Sequence, residues 1–186
     1  VKVVTKAYEK ESSQLPNDLA LFETNKIIQN LSDLYPNYFW TPRITFGGLL
    51  DTPNEDGETK EQGPVFGIGI DFHSKTSRQI EIWELGKYLL HGNLPKNRND
   101  ALISTKLAKQ LSVNVGSIVT LISTTMDNAF TTYNFEITGI FNLNKGQVDR
   151  QMMLVDISGA RQALGMEGAA SEILGYHQSL YYNDNE

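Results

Sequence analysis

Residues 101–156 constrain the fold more than any other part of this chain. They read ALISTKLAKQLSVNVGSIVTLISTT and then, past a polar tip, NFEITGIFNLNKGQVDRQMMLVD. An apolar run at 101–103 predicts a strand, and Ser104 predicts the cap of a helix through Leu111 whose single stripe is Leu107, Ala108 and Leu111. The turn Val115-Gly116-Ser117 leads into two alternating segments, 117–123 and 130–141, which read as a hairpin. A loop with an isolated Asp149 precedes a last strand at 151–157. Strand, helix, hairpin and strand in this order predict an α+β fold rather than a doubly wound parallel sheet.

The flanking sequence adds elements of the same kinds. Residues 1–8 are rich in β-branched side chains and predict an opening strand, followed by a polar loop at 11–16. Leu21, Thr24, Ile27, Ile28, Leu31, Leu34 and Tyr35 recur at helical spacing between Asn17 and Pro36. Two strands, 40–50 and 64–71, flank the turn-rich loop DTPNEDGETKEQG. A helix is expected within 74–91, ending at Gly92, then a break at NLPKNRND. Residues 158–164 predict a short helix ending at Gly165, and 171–180 a final strand. The break suggests a discontinuous organisation: outer segments 1–93 and 144–186 form one subdomain, and 94–143 form a strand-rich insert.

Composition removes several classes of function. Sixteen Lys and Arg stand against 22 Asp and Glu, a net charge of −6 with no basic block, which argues against nucleic acid as a partner. The chain has no cysteine, so disulfides, thiolate metal sites and a cysteine nucleophile are excluded. No stretch reaches the roughly 18 apolar residues of a membrane span. The chain begins without Met inside an expected strand, which suggests a piece of a longer protein.

Candidate chemistry is sparse. Gly67 and Gly69 in FGIGID lack the third glycine of a dinucleotide fingerprint, since position 72 is Phe; they read as one face of a strand at a close approach. No phosphate-binding loop occurs, so any ATP is bound by another subunit or domain, and no cofactor is expected. His73, His91 and His177 lack metal-ligand spacing, and no Gly-x-Ser-x-Gly elbow is present. The carboxylates Glu81 and Glu84, Asp51 and Asp56, and Asp149 read as helix faces, turns and loops. Trp83 and the group Tyr35, Tyr38, Phe39 and Trp40 read as packing, or as a platform for a sugar. A secreted carbohydrate-binding module or carbohydrate-active enzyme is therefore the alternative function.

The polar tip between the hairpin strands is the strongest surface candidate. Met126, Asp127, Phe130 and Tyr133 form a candidate partner-binding set, because apolar groups at a hairpin tip suit docking. The same residues could instead fold back on their own hairpin.

Several motifs in order resemble the periplasmic core domain of the MacB and lipoprotein-release (LolC/LolE) class of ABC transporter permeases, in the FtsX-like family. They are Thr41-Pro42-Arg43-Ile44 with Phe46 and Leu49; Gly69-Ile70-Asp71; residues 89–94 around Gly92; Leu107-Ala108-Lys109-Gln110-Leu111 with Val115-Gly116; Gly139-Ile140-Phe141; and Asp149 with Met153, Val155, Ala160 and Gln162. Phe72 and Ser117 stand where that family has a proline and an acidic residue. The resemblance implies a noncatalytic domain with a porter-like α/β subdomain and an inserted sabre-like subdomain, held in the periplasm by a parent protein of the inner membrane. It also implies a separate ABC ATPase subunit, a second permease subunit and a periplasmic partner such as a lipoprotein carrier.

Overall fold

A computed structural model describes residues 1–74, 77–143 and 150–179. Its elements in chain order are β1 (Lys2–Val3), α1 (Lys6–Glu11), α2 (Thr24–Leu34), β2 (Tyr38–Pro53), β3 (Thr59–Ile70), α3 (Gln79–Ile82), α4 (Leu85–Tyr88), β4 (Leu89–Gly92), β5 (Asp100–Ser104), α5 (Thr105–Gln110), β6 (Ile118–Thr124), β7 (Phe130–Phe141), β8 (Met152–Asp156), α6 (Ile157–Leu164) and β9 (Glu172–His177). Helices and a mixed sheet together make the fold α+β, as expected.

The sheet closes on itself. β2 pairs with β3, β3 with β8, β8 with β5, β5 with β7, β7 with β6, and β6 returns to β2 through Leu49, Leu50 and Asp51 opposite Ile122, Leu121 and Thr120. β9 lies beside the first half of β2, carries β1 on its other edge, and β4 pairs with the end of β7. Ring closure leaves fewer unpaired edges than an open sheet of the same strands. Of the three middle strands, β5 pairs with β8 and β6 with β2 of the outer segments, while β7 lies between β5 and β6 in this ring.

Strand periodicity explains the core. On β8, Met153 and Val155 belong to an inner cluster with Ile44, Phe46, Ile103 and Phe135, while Met152 and Leu154 belong to a second cluster on the outer face with Ile70, Phe72, Leu85 and Leu102. Both faces are buried, which is why residues 152–155, MMLV, are apolar without alternation. α5 with its C-cap Leu111, and α6, supply Leu107, Leu111, Ala160 and Leu164 to the inner cluster, and Ile80 and Trp83 of the α3–α4 region pack on the outer one.

Five expectations are corrected. Residues 1–8 do not form one strand: only Lys2–Val3 pair, and Thr5 caps α1 by accepting from the Tyr8 N–H. The turn Ser12–Gln14 then replaces part of the loop expected at 11–16. The helix expected from Asn17 starts at Thr24, because Leu21 bridges Ala170 and Glu23 takes a left-handed conformation at φ 49°; Asn17–Leu19 is a single tight turn. The helix expected within 74–91 splits into α3 and α4, since Arg78 and Glu84 both stand at positive φ, and residues 89–92 become β4. The loop after position 50 shrinks to a tip at 54–58, because β2 and β3 pair out to Pro53 and Thr59.

Elsewhere local signals act as expected. Ser104 accepts from the Leu107 N–H at the start of α5 and Gly165 ends α6 at φ 64°, while Asp156, read in the sequence only as part of a strand, also caps α6 through the Ser158 N–H. Ser117 holds its turn, its Oγ accepting from the Asn114 N–H at 3.0 Å. The Gly-x-Gly pair is a close approach: a Cβ at Gly67 would lie 2.0 Å from the Phe46 ring, and one at Gly69 2.7 Å from Ala160 Cβ. Arg43 and Glu172 form a largely buried ion pair at 2.6 Å across β2 and β9.

Candidate partner-binding site

The β6–β7 hairpin is in register from Ile118 opposite Glu136 to Thr124 opposite Phe130. Its turn is held locally. The Thr125 N–H donates to Ala129 O at 2.8 Å, the Asn128 N–H to Thr125 O at 2.9 Å, and the Ala129 N–H to Thr125 Oγ1 at 3.2 Å. Asn128 stands at φ 59°, a conformation its short amide side chain tolerates. The tip is also tied to α6. The Met126 N–H donates to Leu164 O at 2.9 Å, and Thr131 Oγ1 donates to Ala163 O at 3.1 Å. Carbonyls at a helix C-terminus lack intrahelical donors, so the hairpin supplies what α6 needs.

The four expected residues therefore divide. Met126 and Tyr133 are partly buried and pack against the inner core, while Asp127 is exposed and Phe130 is 74% exposed. Tyr133 donates its hydroxyl proton to Asn99 Oδ1 at 2.5 Å and its ring sits 4.9 Å from that of Phe135. Burial pushes its phenol pKa up, and the Arg98 guanidinium pulls the other way more weakly. Of the four, Phe130 and Asp127 are the exposed pair.

Most of the other candidates have structural partners, although one side-chain oxygen of Asp51 is buried without a hydrogen bond. His73 lies 3.6 Å from Asp156, His177 shares a hydrogen bond with Ser179 at 2.7 Å and packs edge-on against Tyr38, and His91 is exposed on β4. Among the described residues no three His, Asp or Glu side chains are gathered to hold a metal. Glu81 pairs with Arg78 and Glu84 with Lys87, while Asp149 lies outside the described residues. Trp40 is buried, its ring over Gly175 and near those of Tyr35 and Tyr38, and Trp83 packs on the outer cluster. Trp40 is thus closed off, while Trp83 is partly buried.

Sequence reading missed one neighbour of the tip. Residues 5–20 strap across β2: the hydroxyls of Tyr8 and Thr45 share a hydrogen bond at 2.8 Å, Ser171 Oγ accepts from the Thr45 N–H at 3.0 Å and donates to Asn17 Oδ1 at 3.1 Å, and Leu15 covers Gly47. Between this strap and the end of β6 lies a groove of about 430 Å³, with Glu11, Gln14 and Asp18 on one wall and Thr124, Thr125 and Asn128 on the other. Thr5 followed by the helix formers KAYEKE was the available signal for α1.

Neither a comparison with models of known protein families nor one with curated protein sequences gives a match. Solved structures do match. The chain is similar to the extracellular domain of the noncanonic ABC-type transporter YknZ from Gram-positive bacteria, with a TM-score of 0.59 and 14% identity over 86% of this chain and 74% of that one. It is also similar to the periplasmic region of MacB from Actinobacillus actinomycetemcomitans, with a TM-score of 0.54 and 14% identity over 86% of this chain and 66% of that one. At this identity the likeness is one of fold: the chain folds as a MacB-like periplasmic domain. Among the described residues no helix is long and apolar enough to cross a membrane.

Proposed function

We propose that this chain is a noncatalytic extracytoplasmic domain of an ABC transporter permease. In this reading a separate ABC ATPase hydrolyses ATP on the cytoplasmic side, and the parent permease, held in the inner membrane with a second permease subunit, passes the movement to this domain in the periplasm. The work done is lipoprotein release or efflux. Residues 1–93 and 144–186 act as the porter-like subdomain and 94–143 as the sabre-like insert, whose hairpin tip contacts a periplasmic partner such as a lipoprotein carrier. One observation carries the reading: the fold likeness to two transporter domains extends over 86% of the chain. The exposed Phe130 and Asp127 at an anchored tip support contact there.

The reading is tested in the full-length permease with its ATPase. Spin labels at position 127 of both subunits are expected to change separation between the ATP-free and the vanadate-trapped states, as mechanical coupling between two arrangements requires. An unchanged separation overturns the reading. Phe130→Ser is expected to leave ATP hydrolysis and folding intact while lowering transport, because an exposed side chain contributes little to stability.

A further inference from the structure

The groove beside the tip has a one-sided chemistry. Glu11 and Asp18 are the charged residues of its lining, and Gln14, Thr124 and Asn128 add neutral groups that can accept as well as donate. None of its lining residues is a Lys, Arg or His. Its volume falls within the roughly 300–1,000 Å³ of ligand pockets, but its walls are polar, so an apolar small molecule gains little there. A bare metal ion is also a poor fit, since the described residues gather no three metal-ligating side chains.

Position decides what kind of cation fits. Thr124 lines the groove and stands directly opposite Phe130 in the hairpin, so the two side chains leave the same face of the sheet. Leu49, 39% exposed, sits opposite Ile122 on the adjoining strand of that face. An occupant of the groove therefore meets an exposed aromatic ring and an aliphatic strip as it leaves. A free small cation uses only the first of these features; a peptide segment with neighbouring basic and apolar side chains uses both.

Resting on the transporter reading, we infer that the tip docks a basic segment of the partner protein, with an Arg or Lys side chain in the Glu11–Asp18 groove and an adjacent apolar side chain on Phe130. The chain's net charge of −6 favours encounter with such a segment. A guanidinium in the groove donates to carboxylate and amide oxygens, interactions stronger than neutral hydrogen bonds.

The test titrates the 186-residue chain with the peptide acetyl-Gly-Leu-Arg-Gly-amide and with the same peptide carrying citrulline, which keeps the shape of arginine and removes its charge. Backbone amide shifts at Gly47, Thr124, Thr125 and Asn128 are expected with arginine, with affinity falling as salt rises. Citrulline, and the double variant Glu11→Gln with Asp18→Asn, are each expected to weaken binding by about tenfold. Equal affinity for both peptides, shifts elsewhere only, or no shifts with either peptide overturns the inference. These outcomes are independent of the spin-label experiment: labels that move while the peptide fails to bind sink the groove alone, whereas immobile labels sink the transporter reading.

Discussion

The backbone N–H of Met126 donates to the carbonyl of Leu164 at 2.9 Å, fastening the tip of the β6–β7 hairpin to the last turn of α6. The bond gives the tip a fixed platform although its outer residues are exposed. Thr131 Oγ1 repeats the arrangement on Ala163 O, and Asp156 secures the other end of the same helix by accepting from the Phe72 and Ser158 N–H groups. α6 is thus held at one end by the loop after β3 and at the other by the candidate docking tip.

Thr131→Val keeps the shape of the side chain and removes the hydroxyl. It is expected to destabilise the chain by about 1 kcal/mol, the worth of one hydrogen bond to a half-buried carbonyl. Urea unfolding measures the loss, and amide exchange at residues 125–130 is expected to speed up more than exchange in β8. Uniform protection in both regions would show that the tip does not depend on α6.

Gly67→Ala places a methyl group within 2.0 Å of the Phe46 ring, directly across the β2–β3 pair. The ring fills the space that a side chain would occupy, so the substitution is expected to cost about 1–3 kcal/mol by overpacking. Gly86→Ala is the contrast. Its Cβ would meet nothing within 4 Å, and Gly86 lies in α4, where alanine is expected to add about 0.5–1 kcal/mol. A comparison of denaturation midpoints decides both, and an unaltered midpoint for Gly67→Ala refutes the packing role given to this glycine.

Tyr133 gives a pH signature. Its phenol titrates above the ordinary value of 10.0, because burial disfavours the phenolate more than Arg98 favours it. With the folded pKa raised, the stability that the neutral phenol contributes is complete below pH 10 and drains as pH rises through the folded value. Tyr133→Phe is expected to lose the hydrogen bond to Asn99 and to show a flatter fall in stability over that alkaline window. Parallel pH profiles for the two proteins would refute the shift.

Much of the fold was legible because its signals are local. The cap at Ser104, the stop at Gly165 and the alternation of β7 each depend on side chains within a few residues of one another. The tip was legible as a place but not in its parts. Phe130 and Asp127 are exposed, while Met126 and Tyr133 turn inward because α6 and Asn99, 38 and 34 residues away, provide their partners.

By itself the sequence determined the α+β class, the hairpin, α5, α6, the buried strand β8 and the absence of cysteine chemistry. Only the tertiary structure decided that β6 returns to β2 to close the ring, that residues 5–20 strap across β2, and that the segment before β4 breaks into two single turns. The reason is one of range. A cap or an alternating strand is specified by neighbours along the chain, whereas ring closure, the Tyr8–Thr45 contact and the packing of α3 and α4 on the outer cluster bring together residues tens of positions apart. Their free energy exists only once the core has formed.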